Sequence, residues 1–317
     1  MYYKAYSDHL KEKYGTKVYK LPVNIPASCP NRDGTIGHYG CTFCGAAGAG
    51  FENLPAELGV AEQLRKNMEY IGKRYGAKKF IAYFQNFTNT YVPYNDLEKY
   101  LDQASEFEEI VEICFSTRPD CISERYLDLI SEKASAYGKQ ITIELGLQSV
   151  NPHTLANINR GHTLAEFIDA VIRIHRRGFD VCAHIILNLP WDDMTDVIEA
   201  AKVVTALGVE QVKLHSLYIE KGTVMADQYL AGKFDIISPE EYVDRAVTFL
   251  EYISPQISVQ RLASRAPEEN TIFCNWNMSW WRIRDMIEEK MAESGHRQGF
   301  RCNYLNMDYE TLNKKIQ

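Results

Sequence analysis

The sequence predicts an α/β fold: an incomplete parallel (β/α)6 barrel over residues 1–220, followed by a mainly helical C-terminal extension over residues 221–317. Three observations predict it. Six short β-rich segments alternate with stretches of helical period, the order expected of a parallel sheet. Several of those segments are near-continuous apolar runs, as strands covered on both faces must be. After Leu217 the alternation stops and three helical stretches follow, which puts a boundary near Lys221.

The strands are expected at residues 18–25, 80–84, 111–116, 141–147, 181–187 and 211–217. Residues 163–177 place Leu164, Phe167, Ile168, Val171 and Ile172 on one helical face, and Thr163 and Glu166 have capping-box spacing. Residues 192–207 repeat the pattern with Met194, Val197, Ile198, Ala201 and Val204. In the extension, residues 222–233, 238–253 and 276–294 read as helices. Ser238, Pro239 and Glu241 combine an N-cap, a proline at the first helical position and an acid at the third. Residues 257–262 are a candidate for one more strand.

A chain of 317 residues, 45% hydrophobic and 24% charged, can bury a sizeable core as an ordinary globular protein. No apolar run reaches membrane-spanning length, and the polar N-terminus lacks the apolar core of a signal peptide. A cytoplasmic location without a membrane partner is therefore expected, and there the eight cysteines point to metal binding or catalysis before disulfides. The net charge of −7 argues against a large nucleic-acid footprint. Basic clusters are sparse: Lys11, Lys13, Lys17 and Lys20; Lys73 and Arg74 with Lys78 and Lys79; and Arg173, Arg176 and Arg177.

Cys29, Cys41 and Cys44 share one polar stretch with Gly34, Gly37 and Gly40, whose backbone can wrap closely around a bulky ligand. Buried cysteines collect in apolar surroundings, so unrelated core thiols fit poorly here. A structural zinc site would recruit His38, but its place three residues before Cys41 is cramped for an independent ligand. A four-iron cluster normally takes four thiolates, so three would leave one iron open to a substrate or cofactor. The cysteines alone leave zinc and cluster both open. Phe43 sets an aromatic face beside whatever the thiolates hold.

In parallel β/α barrels, chemistry sits at the C-terminal strand ends. Here those ends are polar: Gln85, Asn86 and Thr88 after the second strand, Ser116 to Asp120 after the third, and Gln148 and Ser149 after the fourth, which also carries Glu144. The fifth strand holds His184 and leads to Asn188; the sixth holds Lys213 and His215. Cys114, Cys121 and Cys182 lie in or beside strands and read as small core residues. Cys274 and Cys302 are two thiols, too few for a second cluster unless His296 or another group joins them. The aromatic run of Trp276, Trp280 and Trp281 reads as packing of a C-terminal helix onto the barrel.

Cys41-Thr42-Phe43-Cys44 resembles half of the cluster motif of the radical S-adenosylmethionine (SAM) superfamily. Thr117-Arg118-Pro119-Asp120, Glu144 to Ser149, Arg160-Gly161-His162 and Asn188 to Pro190 resemble the radical SAM domain of the elongator catalytic subunit, and more distantly oxygen-independent coproporphyrinogen oxidase. The chain also resembles a bacterial group related to that subunit but lacking its acetyltransferase domain. The motifs recur in order from about Tyr14 to Gly299. Two features depart from the family pattern. Eleven residues, not three, separate Cys29 from Cys41, and Gln85-Asn86 stands where a glycine pair is common.

The resemblance implies a partial β/α barrel, a [4Fe–4S] cluster on Cys29, Cys41 and Cys44, and SAM chelating the open iron. It implies an enzyme that cleaves SAM reductively to a 5′-deoxyadenosyl radical, which abstracts hydrogen from a small molecule or a tRNA. The electron would come from a donor such as flavodoxin or ferredoxin. Ser116 and Gln148 become candidates for the SAM ribose and Arg160 for its carboxylate, a group that a guanidinium fork binds bidentately. Phe43, Gln85, Asn86, Thr88 and His184 complete the candidate cofactor-binding set. The competing reading is a zinc- or cluster-stabilised binding module without catalysis.

Overall fold

The computed structural model describes residues 2–45, 48, 53–265 and 270–305. In chain order its elements begin α1 (Tyr6–Tyr14), β1 (Val18–Val23), α2 (Val60–Tyr75), β2 (Lys79–Phe84), α3 (Tyr94–Ser105), β3 (Ile110–Thr117), α4 (Glu124–Tyr137) and β4 (Gln140–Gln148). They continue with α5 (Pro152–Asn157), α6 (Leu164–His175), β5 (Asp180–Ile186), α7 (Met194–Ala206) and β6 (Gln211–His215). The last part holds β7 (Tyr218–Glu220), α8 (Val224–Leu230), α9 (Pro239–Tyr252), β8 (Ser258–Arg261), β9 (Thr271–Cys274) and α10 (Trp280–Ser294).

Seven parallel strands form one curled sheet in the order β1-β2-β3-β4-β5-β6-β8, so the partial barrel expected from sequence is present. The seventh strand is the one suspected at 257–262, and it brings a segment beyond Lys221 into the sheet. A separate antiparallel pair, β7 with β9, stands beside it. The central strands are apolar on both faces because helices cover the outside and side chains fill the inside: Phe84 and Phe115 stack at 4.7 Å, and both are fully buried. Residues 306–317 of the extension lie outside the described residues. Among the described residues no helix is long and apolar enough to cross a membrane.

Two details position the site. The capping box read at Thr163 and Glu166 is formed and opens α6. At the N-terminal ends of the strands, α1 closes the barrel. Tyr14 donates to Glu112 near the start of β3 at 2.7 Å, and Lys13 pairs with Asp180 at the start of β5 at 3.0 Å. The chain before α1 pairs with β8 through Ala5 and Val259. The C-terminal ends are therefore the free rim.

One expectation is corrected. The helix read over 276–294 starts at Trp280. Asn275, Trp276 and Asn277 take left-handed φ values of 48°, 54° and 60°, and Ser279 caps the helix by accepting from the Arg282 N–H. Trp276 packs on Tyr242 and Phe273 and donates its indole N–H to Ile237 O at 2.7 Å, the packing role expected of it.

Candidate functional site

The cysteine loop follows β1, and the extra length between Cys29 and Cys41 is folded into turns. Arg32 N–H bonds Cys29 O, and the N–H groups of Ile36 and Gly37 return to Pro30 O. Gly34 takes φ +96°, a left-handed region where L side chains are strained. Asn31, 1% exposed, donates to Asn159 O at 2.6 Å, and Asn159 donates back to Gly40 O at 2.7 Å. Arg32 clamps the far end through Cys44 O and Gly45 O. A Cβ at Gly45 would fall onto the Glu220 carboxylate, so any larger residue there would have to displace that side chain. These bonds hold Cys29, Cys41 and Cys44 against one cavity.

Strand ends supply the rest of that cavity. Gln85 and Thr88 reach it from beyond β2, Ser116 from β3, Gln148 from β4 and His184 from β5; Phe43 and Arg160 reach it from loops. Gln148 arrives through a register shift in β4 and a φ of +73°, a backbone device that re-aims a side chain. Asn86 is placed elsewhere: its amide donates to Asn24 at 3.3 Å and it does not line the cavity. His38 is exposed, lies beside Gly34 and also stays out of the cavity, so it does not complete a zinc site with the cysteines.

Arg160 is buried, and each of its nitrogens makes one contact, which leaves an N–H free on each Nη. Its Nη1 points at Cys41 Sγ at 3.4 Å, its Nη2 donates to Gly146 O at 2.7 Å and its Nε donates to His162 Nε2 at 2.8 Å. Burial and the adjacent Arg160 push the His162 pKa down to about 3, so the ring is neutral. Nε2 then accepts from Arg160, and Nδ1–H donates to Thr163 O at 3.2 Å. Arg118, paired with Asp120 at 2.8 Å, donates to Arg160 O and fixes the next layer. The site thus sets a permanent positive charge beside one of the three thiols.

Beneath the cavity lies a buried ionic network centred on Glu144, which is fully buried in β4. Its carboxylate accepts from Lys20 on β1, from Tyr83 on β2 at 2.7 Å, from His184 on β5 at 2.7 Å and from Lys213 on β6 at 3.2 Å. Burial opposes its ionisation, but Lys20, Lys213 and His184 outweigh burial and hold the carboxyl well below the usual range. Burial pushes His184 down to about 4 against the pull of Glu144, leaving a neutral ring that donates Nε2–H. Glu144, Cys182 and His184 lie close enough together to suggest a metal site. Two lysine ammoniums already occupy Glu144, and burial pushes the Cys182 thiol up, so that trio is poorly suited to a cation.

Sequence reasoning named Lys213 but missed Lys20, Tyr83 and Arg261 as parts of the interior. The signal was present: a lysine in the middle of an apolar strand must find a carboxylate, and Glu144 sits at the matching depth in β4. Cys114 and Cys182 are fully buried beside this network, consistent with their reading as core thiols.

The fold and the site agree with what the chain resembles. The profile of the radical SAM superfamily matches residues 31–204, and that of the radical SAM C-terminal domain matches residues 209–293. The uncharacterised protein YtqA of Bacillus subtilis is 35% identical over 297 residues, 94% of this chain and 92% of that protein. Protein YhcC of Escherichia coli K12 is 34% identical over 286 residues, 90% of this chain and 91% of that protein. The solved structure of the archaeal Elp3 of Methanocaldococcus infernus shares the fold, with a TM-score of 0.67 at 17% identity. That match covers 89% of this chain but 64% of the other, less than two thirds of it. The three-thiol loop, the polar rim and these matches lead to one conclusion: the chain belongs to the radical SAM superfamily and is a radical SAM enzyme, a membership that implies a [4Fe–4S] cluster and SAM.

Proposed function

We propose that Cys29, Cys41 and Cys44 hold three irons of a [4Fe–4S] cluster and that SAM binds the fourth. The observation that carries this reading is three thiols on one loop facing one cavity, with no fourth thiol lining it among the described residues. A cluster and SAM held there would supply reductive cleavage of SAM, with one electron from an external donor, to methionine and a 5′-deoxyadenosyl radical that would take a hydrogen atom from the substrate. The protein's own part is binding, orientation and exclusion of water. Gln148 and Ser116 offer hydrogen bonds to a ribose, and Phe43 offers an aromatic face. Arg160 is the cation for the SAM carboxylate. The buried Glu144 network sets the positions of His184, Tyr83 and Lys213 along the cavity wall.

Anaerobic reconstitution with iron and sulfide tests the reading: about four irons per chain and one SAM per cluster are expected. A colourless protein holding one zinc would instead favour a binding module. Arg160→Ala is expected to weaken SAM binding by about 1.5–3 kcal/mol through the loss of a charged hydrogen bond. Isothermal titration at matched iron content decides it. Unchanged affinity would confine Arg160 to supporting the cysteine loop through Cys41 and Gly146. A small molecule and a tRNA both meet this reading as substrate, and a flavodoxin or ferredoxin meets it as electron donor. Salt-dependent binding of bulk tRNA to the reconstituted protein separates the two substrate classes.

A further inference from the structure

Part of the cavity wall is built from β6 and β8. Lys213 and His215, two residues apart on β6, both reach the cavity, as does Arg261 of β8, which pairs with Lys213 in the sheet. A register shift between Val212 and Lys213 leaves Gln260 as an extra residue on β8. Gln260 is turned to Lys20 and Gln211, while Arg261 is delivered to the cavity. A bulge at a barrel rim commonly re-aims a side chain in this way.

These groups carry unmatched polarity. Lys213 is spoken for by Glu144 and Tyr83, but Arg261 has no carboxylate partner among the described residues. No Asp or Glu among the described residues lines the cavity at all. His215 is the second observation. Its Nδ1 lies 3.3 Å from Ser264 Oγ, and its Nε2 is buried with no hydrogen-bond partner. In the tautomer in which the Ser264 hydroxyl donates to Nδ1, Nε2 carries the proton and is an unsatisfied buried donor near a guanidinium that has no carboxylate partner among the described residues. An anionic oxygen satisfies both.

We infer that the substrate of this enzyme presents a carboxylate or phosphate group to Arg261 and the Nε2–H of His215, which hold it against the β6–β8 wall. The inference rests on the proposed reading of the cavity as the SAM site, because it assigns the SAM carboxylate to the cysteine end and this wall to the substrate. It gives the site a specificity element: a neutral analogue would leave a half-buried guanidinium and a buried N–H without an anionic partner.

The test uses the full chain, reconstituted anaerobically and saturated with SAM. Malonate and inorganic phosphate are titrated separately at constant ionic strength, with chloride as the control. Saturable binding of one anion per chain is expected, and the tighter of the two identifies the group. Arg261→Gln is expected to weaken that binding about tenfold or more, the loss typical of a charged hydrogen bond, while Arg261→Lys keeps most of it. Unchanged affinity in a folded Arg261→Gln variant, or anion binding abolished by SAM, would overturn the proposal. Protein with four irons and bound SAM but no saturable anion site would overturn it and leave the radical reading intact. Arg261-dependent anion binding by a protein that takes up neither cluster nor SAM would support the anion site and sink the radical reading.

Discussion

Reconstituted Cys41→Ala is expected to retain less than about one of the four irons that the unaltered chain takes up. The same loss is expected of Cys29→Ala and Cys44→Ala, because a cluster with one open iron has no thiolate to spare. Cys41 is the sharpest case. It is 7% exposed, and the Arg160 guanidinium and the Asn31 amide both face its sulfur, so no water-exposed substitute ligand reaches that position. Cys114→Ala and Cys182→Ala should take up the full complement, since both thiols are fully buried against the Glu144 network and burial raises their pKa well above the ordinary value. Iron and sulfide analysis after anaerobic reconstitution reads the result directly. Full iron in Cys41→Ala would remove the three-cysteine assignment.

Glu144→Gln is expected to cost about 3–5 kcal/mol of stability, the loss that follows when one partner of a buried ionic network is removed. The carboxylate is fully buried and accepts from Lys20, Lys213, Tyr83 and His184. A neutral amide leaves two interior lysines without an anion. Chemical denaturation of the apoprotein measures the effect, and a loss below about 1 kcal/mol, the scale of an exposed pair, would mean that the network is screened by water.

The same groups set a pH dependence. The folded-state pKa of Glu144 lies well below its ordinary value, so its stabilisation is complete above that value and is lost as the pH falls through the folded pKa. His184, held at about 4, adds to the loss. Between pH 6.5 and about 4 the unfolded chain binds its proton and the folded chain does not. Stability should therefore fall steadily on acidification from pH 6.5 and level off near neutrality. Glu144→Gln should flatten only the more acidic part of that curve. Denaturation midpoints across this range check the sign, and stability that rises on acidification would contradict it.

The strand core was legible because its signal is local. Uninterrupted apolar runs such as Phe80 to Phe84 have few alternatives to a strand covered on both faces. The polar rim was legible for a similar reason: Ser116, Gln148 and His184 interrupt apolar runs at the strand ends, and all three line one cavity. What escaped depends on distant partners. Helix α1 buries only Leu10 among its described side chains, so its amphipathic signal is faint, and its role rests on bonds to Glu112 and Asp180 far along the chain. Strands β7 and β9 span three and four residues, too short for a period to register. Arg261 reaches the cavity through a bulge, which shifts side-chain alternation by one residue and hides the arginine from any strict period-two reading. Asn86 sat in a polar run at a strand end, but its contact with Asn24 turns it away from the cavity that its neighbours Gln85 and Thr88 reach.

The central claim is that this cavity performs radical chemistry on SAM, and one measurement tests it most directly. The reconstituted, SAM-bound protein is reduced anaerobically with dithionite, and 5′-deoxyadenosine is quantified against time. The account predicts slow formation of 5′-deoxyadenosine and methionine in equal amounts, absent from Cys41→Ala treated identically. A four-iron, SAM-bound, reduced sample that releases no 5′-deoxyadenosine would contradict it.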